Sequence, residues 1–143
     1  MPLSPHDPEV ALLKRNLSAL VRALRATGIT RVAVSFDGAR GRCRACAVEV
    51  WPPDAARQLP LQRVVLERLA ADAGLGPVAA LTDESPLGEA LRRFTLHWAS
   101  LEHGHWQRGD GGRGVMRLVV TTREVTLDFD ALHIEQHHSR LTD

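Results

Sequence analysis

The residues whose type and spacing could do chemistry crowd into one early stretch. Arg40, Arg42 and Arg44 stand two positions apart, so on an extended strand that runs through all three they share one face. Each planar guanidinium can give two hydrogen bonds to adjacent anionic oxygens, the geometry that phosphate and carboxylate groups present. Arg22 and Arg25 add cations from the preceding segment, and between Lys14 and Arg44 the only acidic residue is Asp37. An anionic partner, either an acidic protein surface or a nucleic acid, is the expectation these five arginines raise. A solvated face is the competing reading: a chain with a single lysine writes arginine wherever an exposed cation is wanted, as a GC-rich coding sequence would.

Cys43 and Cys46 have the CxxC spacing, and His103 and His105, or His133, His137 and His138 further on, could complete a zinc site. That is the basis of an alternative expectation, a zinc-binding or metal-dependent enzyme. Residues three apart on a regular strand point to opposite faces, so both sulfurs reach one ion only if a turn or bulge intervenes. Redox chemistry would need a helix N-terminus to activate the thiolate, which this context does not predict. Structural thiols, and histidines that cap a helix or lie in a solvated tail, are the simpler reading.

Other catalytic constellations are missing. Ser35, Ser85, Ser100 and Ser139 stand in no nucleophile elbow or triad context. The GDGGRG run lacks the GK[ST] ending of a phosphate-binding loop and follows a helix pattern instead of a strand. Asp128 and Asp130 share a strand face, where carboxylates ordinarily serve solubility. Trp51, Trp98 and Trp106 read as packing. The expectation is a non-enzymatic accessory or interaction module that needs no cofactor. An unidentified protein is its expected partner, with nucleic acid as a further reading. A net charge of +1 and 4% aromatic residues weigh against nucleic acid, which asks for a stronger basic excess or stacking rings.

The elements that must hold these residues follow from periodicity. Asp7 is a predicted N-cap with Pro8 at the first helical position, and Val10, Leu13, Leu17, Leu20, Val21 and Leu24 recur at spacings of three and four until Gly28. Val32, Val34 and Phe36 alternate as a strand; Asp37 to Gly41 supplies turn residues; a second strand runs to Trp51, Pro52 and Pro53. Asp54 to Ala71 suits a short helix, although Arg63 to Leu66 could extend a sheet. Ala73 to Glu84 reads as a connection, and Ser85 as the N-cap of a helix whose seam is Leu87, Leu91, Phe94, Trp98 and Leu101. Gln107 to Gly114 reads as a glycine-rich loop. Val115 to Val120 and Glu124 to Phe129 form a last hairpin, and the polar residues from about 133 to 143 a fraying tail.

With 143 residues, 44% of them apolar, the chain suits one domain, 1–143. The order of elements predicts an α+β fold, an antiparallel sheet of about four strands with two or three helices packed on one face. No segment approaches the roughly 20 apolar residues of a membrane helix, and the first residues lack the regions of a signal peptide. Two cysteines are too few for a disulfide framework. A cytoplasmic protein with no membrane partner is therefore expected.

Asp37, Gly38 and Gly41 in the first turn, and Trp106, Asp110, Gly111 and Gly114 before the last hairpin, together resemble an uncharacterised family of small bacterial domains of unknown function. The resemblance implies a helix, a hairpin with a DGxGxxG-like turn, a helix ending near a tryptophan, a polar glycine-rich loop and a final hairpin. The first turn of that family is acidic beyond its first aspartate; here it reads Arg40, Gly41, Arg42, Cys43, Arg44. The resemblance bears on the fold and assigns no chemistry.

Overall fold

The computed structural model describes residues 7–39, 42–69, 80–103, 111–131 and 136–141. Helix α1, Pro8–Ala26, starts where its capping chemistry dictates, with the Asp7 carboxylate accepting from the Glu9 N–H at 2.9 Å. It ends in a Schellman arrangement: Ile29 N–H bonds the Leu24 carbonyl, Gly28 N–H bonds that of Arg25, and Gly28 takes φ +78°. Its apolar stripe, Leu13, Leu17, Leu20, Val21 and Leu24, is buried in the main core.

Strands β1, Arg31–Ala39, and β2, Arg42–Trp51, form the expected hairpin. They belong to a five-stranded antiparallel sheet of order β2-β1-β5-β6-β7, with β5 at Gly112–Val119, β6 at Glu124–Ala131 and β7 at Gln136–Leu141. Alternation decides which face goes inward. Val32, Val34 and Phe36 of β1, Met116 and Leu118 of β5, and Val125, Leu127 and Phe129 of β6 are buried with the helices in one core. The residues between them line a face that no helix covers among those described.

Several expectations are corrected by the structure. The stretch 54–71 is a short 3₁₀ helix, Pro53–Gln58, followed by strand β3, Arg63–Leu69. Val64 and Leu66 are buried while Val65 between them is 51% exposed, the period of two that β-branched residues favour. The supposed connection contains strand β4, Ala80–Pro86, which pairs with β3 as a separate two-stranded sheet. The supposed fraying tail contains edge strand β7, paired with β6. Residues 112–114 of the glycine-rich loop lie in β5; 104–110, with His105 and Trp106, fall outside the described residues.

Helix α2, Leu87–His103, carries the predicted seam, and Leu87, Leu91, Phe94 and Trp98 are fully buried. Ser85 does not cap it. Ser85 lies in β4 opposite Val64, is 5% exposed, and its hydroxyl has no hydrogen-bond partner among the described residues. The first amides of α2 are satisfied by backbone instead: Leu87 N–H bonds the Gln62 carbonyl at 2.7 Å and Gly88 N–H that of Leu59 at 3.4 Å.

Candidate functional site

The two-stranded ribbon needs support, since an isolated hairpin is marginal in water. Asn16 of α1 provides it. Its side-chain amide donates to the Glu67 carbonyl at 2.9 Å and accepts from the Glu67 N–H at 2.8 Å, as a neighbouring strand would. The Arg15–Glu67 ion pair at 2.7 Å adds a second tie. This clamp holds the ribbon beside both helices and leaves between them a cleft of about 680 Å³, within the size range of small-molecule sites. Leu66 and Phe94 give it an apolar floor, while Glu9 of α1, Arg93 and His97 of α2, and Arg68 and Asp83 of the ribbon stand around it. On the ribbon, Arg68 and Asp83 are tightly joined at 2.6 Å. The contacts of α2 are longer: His97 Nε2 lies 3.6 Å from Glu9 Oε1, and Arg93 Nε 3.5 Å from Glu89 Oε1.

The uncovered face of the large sheet is a second candidate, and its charges are ordered. Across the strands Arg113 lies between Asp37 and Asp130 in register. Arg117 bonds Asp128 at 2.8 Å, Arg140 pairs with Glu124, and the Arg31 guanidinium rests 4.9 Å above the Trp51 ring. These cations are matched to carboxylates and a ring on their own sheet, an arrangement common for a solvated antiparallel face.

Four of the five arginines singled out from sequence have a described backbone, and their positions fall in two pairs. Arg22 and Arg25 are exposed on α1, and Arg25 reaches the Val120 carbonyl at 3.5 Å, beside the start of β1. Arg44 and Arg42 face Asp37 and Ala39 in the pairing register, six to eight residues along β1 from Arg31, roughly 20–26 Å away at the rise of a strand. Arg40 lies outside the described residues, as do the side chains of Arg42 and Arg44.

For the cysteines the backbone holds one surprise. The register of β1 with β2 shifts between Ser35 and Phe36, whose partners are Ala47 and Ala45, so Cys46 is the extra residue. Regular alternation from Cys43 to Cys46 is therefore broken by a bulge, which sequence spacing alone does not show. Of the histidines, His105 and His133 lie outside the described residues, as do the side chains of His103, His137 and His138. Glu102, next to His103, accepts from Ser139 Oγ of β7 at 3.2 Å, on the sheet edge opposite β2. No group of three or more His, Cys, Asp or Glu is gathered for a metal ion among the described residues, which do not include the side chains of Cys43, Cys46 and His103.

Gly114, one of the glycines of the resemblance, and Gly112 near it have a packing role. Gly114 sits in β5 between Phe36 of β1 and Phe129 of β6, whose rings stack with centroids 6.3 Å apart. A Cβ there would lie 2.3 Å from the Asp128 carbonyl oxygen and 2.5 Å from the Phe36 ring; one on Gly112 would lie 2.7 Å from Phe129. Only glycine lets the two rings close over the middle strand.

No curated protein and no solved structure matches the chain. A family model does, over residues 12–140, described as a family of unknown function, DUF6878. The match spans α1 almost from its start, both sheets and the glycines that admit the Phe36–Phe129 stack, and the chain belongs to that family.

Proposed function

We propose that this domain is a non-enzymatic interaction module, cytoplasmic, that engages a protein partner through the uncovered face of its five-stranded sheet. The observation that carries this reading is the charge pattern of that face, where Arg113 alternates with Asp37 and Asp130 and Arg117 is bonded to Asp128. A polyanion rewards a continuous run of cations. Rows of alternating sign instead complement another protein's mixed surface, fixing register and excluding wrong partners. The separation of Arg22 and Arg25 from Arg42 and Arg44 points the same way.

Affinity capture from the source cells tests the reading with two variants. Arg113→Glu with Arg117→Glu should lose a partner that the unsubstituted domain retains, and Arg22→Ala with Arg25→Ala should keep it. The reverse pattern would return the function to the basic helix, and capture of nothing by the unsubstituted domain would remove the proposal.

A further inference from the structure

The cleft beside the Asn16 clamp lies on the helical side of the domain and has no part in the proposal above. Its ionic groups divide by how firmly they are already used. Glu67 is held by Arg15, Arg68 and Asp83 hold each other, and both amide ends of Asn16 are spent on Glu67. Glu9 and Arg93 remain in the loosest contacts of the lining, at 3.6 Å to His97 and 3.5 Å to Glu89. They are opposite in sign and stand on facing helices, with Leu66 and Phe94 at the floor.

We infer that this cleft binds a free amino acid with an apolar side chain, its ammonium on Glu9, its carboxylate on Arg93 and its side chain on Leu66 and Phe94. His97 is one helical turn from Arg93, about 5–6 Å between Cβ atoms, and its Nε2 lies 3.6 Å from Glu9 Oε1, so the carboxylate and the guanidinium line the same stretch of the cleft. An amino acid carries its ammonium and its carboxylate about 2.5 Å apart on one carbon, where each can meet one of the two in a charge-assisted hydrogen bond. His97, released from Glu9, can donate to the same carboxylate. An apolar anion would leave Glu9 facing it, and an apolar cation would leave Arg93 facing it; only the zwitterion answers both.

Calorimetric titration of the full chain with L-phenylalanine, N-acetyl-L-phenylalanine and L-phenylalanine amide tests this. Phenylalanine should bind saturably at one site, and each blocked probe at least about tenfold more weakly, since each loses a hydrogen bond to a charged group. Glu9→Gln should abolish the penalty for the acetyl probe alone, and Arg93→Gln the penalty for the amide alone, a crossed pattern that mere damage to the fold cannot produce. No saturable binding of phenylalanine by the unsubstituted protein up to the solubility limit, or equal binding of all three probes, would overturn the inference.

Discussion

Asn16 is buried on α1 at 4% exposure and spends its whole amide on the backbone of a residue 51 positions away. Nothing in its neighbourhood announces this. Lys14, Arg15 and Asn16 read as the polar flank of an amphipathic helix, because the strand it serves closes only in three dimensions. The cost of removing it is calculable. Asn16→Ala leaves the Glu67 N–H and carbonyl without partners in a part-buried site, a penalty of about 1–3 kcal/mol for each stranded group less what water recovers. Urea denaturation should show a loss of about 2–3 kcal/mol. Asn16→Leu, which keeps the branched outline of the side chain and strands the same groups, should lose about as much; recovery of full stability by leucine would show that packing, and not the clamp, is what Asn16 supplies.

At the scale of elements, what was legible depended on whether a segment's pattern has one solution. α1 and α2 carry long apolar stripes at helical spacing with no strand alternative, and Val32, Val34 and Phe36 alternate before the turn residues and the run that ends at Pro52, so both helices and the first hairpin are read correctly. The run from Leu61 to Leu69 fits both periods, and the tertiary fold settles it as β3 by giving Val64 and Leu66 a buried face and leaving Val65 in solvent. β7 is invisible for another reason: its sequence, Gln136 to Leu141, carries one large apolar residue, Leu141, which is buried in the core, too little apolar content to signal a strand. The glycine-rich run was legible as a need for glycine but not as strand, since the need comes from Phe36 and Phe129 on the two neighbours. Gly114→Ala should therefore destabilise by about 3 kcal/mol or more, above the usual cost of overpacking because a carbonyl oxygen cannot rotate away. Thermal melts should also separate it from Gly28→Ala, where a Cβ meets nothing within 4 Å and only the φ of +78° opposes the change.

For the whole molecule the question is whether a net charge of +1 hides a local cationic field, which the early arginines made a fair reading of the sequence. Distance answers it. Arg25, with Arg22 one helical turn before it on α1, reaches the start of β1, and Arg42 and Arg44 pair with its end, roughly 20–26 Å away along the strand, about two or more Debye lengths at physiological salt. Each pair acts alone, and between them Arg113, Arg117 and Arg140 lie beside carboxylates that would have to be displaced before a phosphate could approach. A duplex can thus be neutralised at only two or three phosphates at once, and each neutralised phosphate contributes a slope of about −0.9 to log K against log salt. Labelled duplex DNA titrated between low and physiological salt should give a slope no steeper than about −3 and binding no tighter than the usual non-specific range of about 10⁻⁴–10⁻⁶ M. An Arg42→Ala, Arg44→Ala variant should change the slope by less than about 2 units. A slope of about −5 or steeper, lost in that variant, would mean that the arginines act together despite their separation, and the protein-partner reading would give way to nucleic-acid binding.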